Sequence, residues 1–420
     1  MDKTRAEMDR IIIENANIFD GLTPDLIGGM SVLIEGGEIL AVSDQTIKDS
    51  GAMKIDAAGR TLMPGLIDLH THAYISDVDV GKVDRSGDAY RTAYGIKLLG
   101  HALDCGFTTV RDVGGGDWSM ALAVNHGLVR APRYFYSGKA LSMTGGHGDL
   151  RRVGEDQHEG GAGCHCGECN SIAVIVDGVD ACIKAAREEL RKGAHCLKIM
   201  ASGGVASATD PIWAAQYRED EIRSVVGEAA ARGTYVAAHC NPPGAIRRAV
   251  ACGVRTIEHG ALIDKETAEY VASQNAFVVP TLIVFRALAE FGQAIGLSKV
   301  SRDKAKIVAA QSVAALDVLR SAGVQLGFGT DLIGDLYVRR CEEFTLRREV
   351  FSAYDILRQA TSVGAEILML GGKLGCVAEG AYADLLLVDG NPLADIDLLA
   401  QNGQRIPFIM KNGSIVKNEL

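Results

Sequence analysis

The sequence lacks several features that mark other classes of protein. No apolar run reaches the roughly 18 residues of a membrane-spanning helix, and the N-terminal segment "MDKTRAEMDRIII" has no long apolar stretch of the secretory type. No internal repeat or low-complexity segment stands out. The ten cysteines lack the regular spacing of a disulfide framework. We therefore expect a cytoplasmic globular protein with mostly buried, reduced thiols.

Basic residues are in deficit, with 43 Lys and Arg against 53 Asp and Glu and a formal net charge of −10. Phosphate backbones and anionic membranes bind clustered Lys and Arg, and no such cluster occurs. We therefore expect a small-molecule partner and neither nucleic acid nor membrane. The 420 residues, with 47% hydrophobic residues, suit one large buried core with a smaller accessory domain.

The two ends of the chain share a pattern of short strands broken by glycine-containing turns. It occurs in "RIIIENANIFDG" and "SVLIEGGEILAVSD" near the start, and in "GAYADLLLVDGNPL" and "IPFIMKNGSIVKNEL" near the end. We predict that residues 1–62 and 373–420 combine into one small β-sandwich around a central domain of residues 63–372.

The central domain alternates short apolar strands with longer helical stretches that end in glycine. Eight strands are predicted, at "GLIDLHTH", "TTVRDVGG", "RYFYSGKALS", "HCLKIMASGG", "YVAAHC", "TIEHG", "AFVVPTL" and "QLGFGTD". Eight such alternations predict an α/β fold of the closed parallel (β/α)₈ TIM-barrel type, and an open doubly wound sheet is the alternative.

Polar residues stand at the C-terminal ends of these strands, where barrels carry their reactive groups. His70 and His72 end the first strand and share one face by period-2 alternation, as two imidazoles on one metal require. His239, His259 and Asp331 end the fifth, sixth and eighth strands. Together these residues predict a metal site.

Lys198, in the fourth strand, would point an ammonium group at the same site. Burial beside metal favours the neutral amine. A neutral amine can react with CO₂ to form a carbamate, an anionic ligand able to bridge two metals. The alternative is a lysine in an ordinary salt bridge.

His147 lies in "SMTGGHGD" after the third strand, flanked by glycines that indicate a close backbone approach. Its imidazole could donate to a developing oxyanion. A hydrogen-bonded loop histidine without a catalytic role is the alternative.

The motifs "PGLIDLHTH", "KIMASGG", "AAHC", "TIEHG" and "GTD" resemble the amidohydrolase superfamily of metal-dependent hydrolases over almost the whole chain. The resemblance implies a ligand set for two divalent cations, for which we expect Zn²⁺, with Fe²⁺, Co²⁺ and Mn²⁺ tolerated. The resemblance implies that the more buried metal is bound by His70 and His72 and the second metal by His239 and His259. Lys198 would be the carboxylated bridge between them, and Asp331 would be both a metal ligand and the proton shuttle.

The implied mechanism is attack on an amide carbonyl by a metal-bridging hydroxide, with Asp331 passing the proton to the leaving amine. "TGGHGD", "KIMASGGVASATDP", "GVRTIEHG" and "GFGTDLIGD" resemble the dipeptidase, carboxypeptidase and prolidase side of a branch that also holds imidazolonepropionase-like proteins. We therefore expect cleavage of a dipeptide or N-acyl amino acid, Xaa-Pro or similar, with the cyclic amidohydrolase as the less favoured reading.

One position departs from the family pattern. Relatives often carry His-x-Tyr after the fifth strand, where the phenol contacts the substrate carboxylate, whereas this chain has Asn241. Asn241 can donate an amide hydrogen bond but is shorter than tyrosine. The candidates to take over as anchor are Tyr217, Arg218, Arg339 and Arg340, and the alternative for each is a surface residue on a solvated loop. The change could instead mean another amide, a carbamate or a urea as substrate. A non-catalytic scaffold on the same fold is the hypothesis of another class.

The segment "GCHCGECN" crowds Cys164, His165, Cys166 and Cys169 into the connection before the fourth strand. Its spacing could hold a separate structural Zn²⁺, but the second Cys-x-x-Cys half of a zinc module is missing. We expect a reduced lid segment near the substrate. Hydrophobic barrel helices further favour a homo-oligomer.

Overall fold

The computed structural model describes residues 10–151, 171–207 and 209–420. Strands from the two ends of the chain lie together in one eight-stranded sheet with the order β17-β16-β15-β5-β1-β2-β3, and β4 pairs with β1. These strands are β1 (Ile11–Ile18), β2 (Ile27–Glu35), β3 (Glu38–Ser43), β4 (Met53–Asp56), β5 (Thr61–Pro64), β15 (Leu385–Val388), β16 (Phe408–Lys411) and β17 (Ser414–Asn418).

Antiparallel pairing of β5 with β15 brings strands from the two ends of the chain into this sheet. Strand β5 spans the predicted boundary at residue 62, so the sheet extends two residues further into the chain than expected. The division into two layers, as in a sandwich, stays a prediction.

Parallel strands fill the middle of the chain. They are β6 (Leu66–Thr71), β7 (Phe107–Asp112), β8 (Arg133–Tyr136), β9 (Ala140–Ser142), β10 (Ala173–Ile175), β11 (Leu197–Met200), β12 (Val236–Cys240), β13 (Thr256–His259) and β14 (Phe277–Val279). One sheet has the order β6-β7-β8 and the other β10-β9-β11-β12-β13-β14. Every residue of β6, β7 and β11 to β14 is buried, as expected for parallel strands covered on both faces.

Backbone hydrogen bonds link the two parallel sheets. On one side the segment 325–331 lies between β14 and β6, since Val278 pairs with Leu326 and the Leu69 N–H donates to the Phe328 carbonyl at 2.8 Å. On the other side β8 and β9 follow each other directly, and the His195 N–H donates to the Tyr136 carbonyl at 2.8 Å. The fold is therefore a mixed α/β fold whose parallel strands have their C-terminal ends on a common side.

Twelve α-helices alternate with or flank the strands in the part of the chain that the structure describes. They are α1 (Val80–Arg85), α2 (Asp88–Asp104), α3 (Trp118–Asn125), α4 (Val179–Arg191), α5 (Glu219–Ala231), α6 (Pro243–Ala251), α7 (Lys265–Ser273), α8 (Leu282–Phe291), α9 (Lys299–Ser321), α10 (Glu342–Arg347), α11 (Ala353–Gln359) and α12 (Ser362–Ile367). Short 3₁₀ turns occupy Gly334–Arg339 and Ile396–Leu398.

Helix α4 shows how these helices form. Cys182, Ala186, Glu189 and Leu190 recur at helical spacing and are buried, so one face packs inward. At α7 the Asp264 side chain accepts from the Thr267 N–H and caps the first turn. Among the described helices none is long and apolar enough to cross a membrane.

Candidate active site

The predicted metal ligands converge at the C-terminal ends of the parallel strands. The His70 and His259 ring centroids are 4.8 Å apart, and those of His259 and His239 are 4.6 Å apart. Asp331 follows the segment between β14 and β6, and its N–H donates to the His70 carbonyl at 2.7 Å. The structure therefore brings together side chains from four separate stretches of the sequence.

His70 and His72, which are buried, and the partly buried Asp331 form a group whose donor atoms all lie within 4.8 Å of one another. The Asp331 Oδ1 atom is 3.4 Å from Nε2 of His70 and 3.1 Å from Nε2 of His72. Two imidazole nitrogens and a carboxylate oxygen at such spacing can share one divalent ion.

The other ring nitrogen of each of these histidines is already engaged. Nδ1 of His70 lies 2.8 Å from a Glu258 carboxylate oxygen, and Nδ1 of His72 lies 3.0 Å from the Gly114 carbonyl. Both acceptors require a proton on Nδ1, so each Nε2 keeps its lone pair for a metal. The hydrogen bonds fix the tautomer that metal binding needs.

Glu258 is the functional residue that our sequence reasoning missed on this side. Its side chain is fully buried, with its second oxygen 2.7 Å from both the Arg111 guanidinium and the Thr256 hydroxyl. The signal in the sequence was an acid inside an apolar strand, one residue before His259. Buried carboxylates of this kind need partners, and here one of them is a predicted ligand.

His259 departs from regular strand geometry. His239 is in register with Glu258, which faces the interior, so strict alternation would turn His259 outwards. Instead His259 has a φ of +72°, and Asp331 has a φ of +55°. Non-glycine residues rarely adopt these values, and such strain concentrates at functional sites. The left-handed turns bring both side chains into the cluster.

Neutral groups hold the imidazoles of the second pair. Nδ1 of His259 is 2.7 Å from the Thr281 hydroxyl, and Nε2 of His239 is 3.2 Å from the Gly203 carbonyl. These contacts leave Nε2 of His259 and Nδ1 of His239 as the nitrogens available to a metal. Asp331 is more distant here, with 3.9 Å between its Oδ2 and Nδ1 of His259.

Burial sets the protonation of this cluster. It lowers the pKa of His70, His239 and His259 well below the ordinary value, so these rings are neutral and able to act as ligands. Burial alone would raise the pKa of Asp331, but the His70 and His72 rings outweigh it and lower that pKa. Burial would also lower the pKa of His72, but the hydrogen bond and charge of Asp331 outweigh it and raise that pKa. The cluster therefore combines three neutral imidazoles with an ionised carboxylate beside His72.

Lys198 is 1% exposed. Burial lowers the pKa of its amine, although the charges of Glu258 and Asp331 oppose the shift. Glu258 forms its ion pair with Arg111 and a hydrogen bond with His70, and Asp331 contacts His70 and His72. Among the described residues no ion pair of Lys198 is found. The salt-bridge alternative for Lys198 is therefore disfavoured.

His147 lies beside the second pair. Its ring stacks on His239 at 4.3 Å between centroids, with 22° between the planes. Nδ1 is 3.2 Å from Asp210, a second residue that sequence reasoning missed. Burial would raise the pKa of the Asp210 carboxyl, but the hydrogen bond and charge of His147 outweigh it and lower the pKa to about 2.

The candidate substrate anchors have other partners. The Tyr217 hydroxyl donates to the Val176 carbonyl at 3.2 Å. Arg339 contacts Glu342 at 2.7 Å and Glu290 at 3.0 Å. These contacts favour structural roles for Tyr217 and Arg339, and substrate binding by either stays a prediction.

Arg218 and Arg340 complete the set of cationic candidates. Arg218 lies in solvent with its side chain 83% exposed and 3.3 Å from Asp220. Arg340 is buried and bonds Asp68, a buried carboxylate that also accepts from the His70 and Thr330 N–H groups at 3.1 Å. Arg340 thus acts on His70 indirectly, through Asp68. The sequence analysis did not predict this role.

Asn241 lies next to His239, with 3.5 Å between its Nδ2 and the His239 Nε2. Its N–H donates to the Ser202 hydroxyl at 3.1 Å. Its side-chain oxygen is buried and has no hydrogen-bond partner among the residues the structure describes. Asn241 therefore keeps a free polar atom at the site. The predicted lid of Cys164, His165, Cys166 and Cys169 lies outside the described residues.

Imidazoles and a carboxylate at the C-terminal ends of parallel strands define an α/β protein with a donor set that fits divalent metal ions. The model of the amidohydrolase family matches residues 61–416. The ochratoxinase of Aspergillus niger is 31% identical over 378 residues, which covers 85% of this chain and 75% of that protein. The chain belongs to the amidohydrolase family, whose members generally use divalent metals.

Two solved structures share this fold over nearly their whole length. A prolidase complexed with N-methylphosphonate-L-proline is 44% identical, with a TM-score of 0.94 and coverage of 97% of this chain and 100% of that one. A Xaa-Pro dipeptidase with bound methionine is 26% identical, with a TM-score of 0.86 and coverage of 98% and 100%. The predicted resemblance to the prolidase-like branch is confirmed.

Proposed function

We propose that this protein is a binuclear metal-dependent hydrolase that cleaves the amide bond of dipeptides or N-acyl amino acids, with Xaa-Pro as the favoured class. The observation that carries the proposal is the convergence of four histidines and Asp331 at the strand ends. Lys198 is buried and feels the charges of Glu258 and Asp331. The 44% identity to a prolidase that binds a phosphonate of proline supports the substrate class.

We also propose that the two parallel sheets close into a (β/α)₈ barrel, with residues 325–331 as its eighth strand. Hydrogen bonds on both sides of this segment support closure, since Gly327 donates to Val278 at 2.9 Å and Leu69 donates to Phe328 at 2.8 Å. The domain limits at residues 62 and 372 belong to the same proposal.

The ligand roles follow from the free nitrogens. His70 and His72 would hold one ion through Nε2 (3.4 and 3.1 Å from Asp331). His239 and His259 would hold the other. Two divalent ions, for which we favour Zn²⁺, would polarise the substrate carbonyl and make water acidic enough to react at neutral pH.

Lys198 would join the two halves of the site as a carbamate. The neutral amine, favoured by burial, would form an N–C bond to CO₂ and lose a proton, leaving an anion with two oxygens. Such an anion supplies the negative charge that the neutral imidazoles do not.

Asp331 and His147 would act on the substrate. Asp331 is ionised and lies against the ligands, so its carboxylate can accept a proton and return it to the leaving nitrogen. His147 stacks on His239 and would face the carbonyl oxygen as its charge develops.

The position where relatives often carry the carboxylate-binding tyrosine allows a second candidate. Asn241 stands there, its buried side-chain oxygen has no hydrogen-bond partner among the described residues, and Tyr217 and Arg339 are engaged elsewhere. The similarity to the A. niger ochratoxinase makes hydrolysis of ochratoxin the second candidate.

The test is release of free amino acid by the protein loaded with Zn²⁺ in bicarbonate buffer. Substrates would be Xaa-Pro dipeptides, other dipeptides, N-acyl amino acids, ochratoxin, carbamates and ureas. We expect proline release to be fastest. Faster ochratoxin cleavage would favour the second candidate, and no turnover of any compound by metal-loaded protein would favour the scaffold hypothesis.

A further inference from the structure

The His147 imidazole lies in a loop but is held by contacts on several sides. One face stacks on His239 at 4.3 Å. The other side approaches the Gly204 backbone so closely that a Cβ there would come within 2.3 Å of Cε1 of the ring. The backbone N–H of His147 donates to Gln216 Oε1 at 2.9 Å, and Nδ1 lies 3.2 Å from Asp210. The ring therefore has little freedom to rotate.

Asp210 is itself held by the loop that follows β11. Its side chain is 2% exposed and accepts from the Gly204 N–H at 2.9 Å and from Gln216 Nε2 at 3.3 Å. The Lys304 ammonium lies 3.9 Å from Oδ1 and donates to the carbonyls of Gly204, Ser207 and Asp210. One lysine of α9 thus bonds three backbone carbonyls of the loop that contains the carboxylate.

The contacts of Asp210 are divided unevenly between its two oxygens. The Oδ1 atom is buried without a hydrogen-bond partner among the described residues and has the Lys304 ammonium at 3.9 Å, whereas Oδ2 takes the contacts from His147, Gly204 and Gln216. The contacts therefore converge on the oxygen that faces His147. This indicates a role exerted through the histidine.

We propose that Asp210, anchored by Lys304, is a positioning residue that fixes the tautomer and orientation of His147. An ionised carboxylate can only accept, so it keeps the proton of His147 on Nδ1 and directs Nε2 to the substrate carbonyl. Among the described residues Nε2 has no hydrogen-bond partner. The inference rests on the proposed hydrolase function and names a residue that acts at that same site.

Kinetics of Asp210→Asn provide the first test, with L-methionyl-L-proline as substrate and the Zn²⁺-loaded protein. The amide keeps the size of the carboxyl but can donate to Nδ1 and reverse the tautomer. We expect kcat to fall by about 10- to 100-fold, as for other groups that orient active-site histidines, with KM within about threefold. The metal content should be unchanged.

Asp384→Asn is the matched control. Asp384 is another buried aspartate that accepts from a backbone N–H, at Asn412, but it lies at β15 in the terminal sheet. We expect normal kinetics for this variant. A kcat of Asp210→Asn within threefold of wild type, or equal losses in both variants, would overturn the proposal.

A double-mutant cycle separates positioning from a general structural effect. If Asp210 acts through His147, Asp210→Asn should cost nothing further on a His147→Ala background. Additive losses would contradict the proposal.

The last readout does not need turnover. In the Zn²⁺-loaded protein labelled with ¹⁵N-histidine, the His147 signals are those missing from His147→Ala among the ten histidines. We expect a proton on Nδ1 in the wild type and its loss or redistribution in Asp210→Asn. An unprotonated Nδ1 in the wild type would overturn the positioning role. A protonated Nδ1 in a wild-type protein that cleaves no dipeptide would count against the proposed function alone.

Discussion

The two halves of the metal-ligand cluster are held by different kinds of contact. On the β6 side, Glu258 orients His70 and the Asp331 carboxylate lies within 3.4 Å of both Nε2 atoms. On the β12 and β13 side, a hydroxyl and a backbone carbonyl orient His259 and His239. The first half is thus rich in negative charge and the second is neutral.

This difference in charge gives the two halves different requirements for binding a divalent cation. Negative charge near Nε2 raises the affinity for a divalent cation, so the β6 half can bind one from its own side chains. The neutral half requires an additional anion, which the carbamate of Lys198 would supply to both. The comparison therefore predicts unequal dependence on Lys198, Glu258 and Thr281.

The largest effect is expected from Asp331→Asn, which touches both halves. Asn cannot accept the proton from water, so kcat should fall by about 10³-fold or more. The histidines remain, and we expect metal to stay bound in part. Dipeptide kinetics and metal analysis of the same preparation check this. Retention of more than a tenth of the activity would rule out the shuttle role.

Lys198→Ala should come next, because it removes the shared anion. We expect loss of metal, first from the neutral half, and loss of activity, with partial recovery of both on adding a short carboxylic acid. Lys198→Arg is the control, because its guanidinium cannot form a carbamate and should behave like Ala. Two metals bound to Lys198→Ala without added acid would contradict the bridge.

Glu258→Gln sharpens the comparison on the charged side. The amide keeps the shape but loses the charge beside His70 and Arg111, so Zn²⁺ affinity of the β6 half should fall by about 10- to 100-fold. Competition against a chelator of known affinity measures this. An unchanged affinity would show that charge behind His70 is unimportant.

Thr281→Val should have the smallest effect. It removes one neutral hydrogen bond to His259 at nearly constant volume, for a loss of about 0.5–1.5 kcal/mol or roughly two- to 13-fold in metal affinity. The same chelator competition applies. A loss larger than that of Glu258→Gln would reverse the asymmetry.

Much of the cluster could be predicted from the sequence, because its residues stand at strand ends. Alternation placed His70 and His72 on one face, and the strand-end rule selected His239, His259 and Asp331. The same alternation puts Asp68 on the face of His70, so the position of this buried acid could also have been predicted.

The rest depends on contacts that local patterns do not encode. Glu258 meets His70 across 188 positions of sequence, and Asp210 meets His147 from a loop without regular periodicity. The left-handed turn at His259 reverses what alternation predicts for that side chain. The candidate anchors among the arginines were chosen by their position after barrel strands. That position does not reveal ion pairs such as those of Arg339 with Glu290 and Glu342.

The most direct measurement is the metal content per chain of the wild type and of Lys198→Ala, purified side by side and loaded with Zn²⁺ in bicarbonate. Our account predicts close to two ions in the wild type and at most one in the variant, with dipeptide hydrolysis following the second ion. Two ions in both proteins, or no more than one in the active wild type, would contradict it.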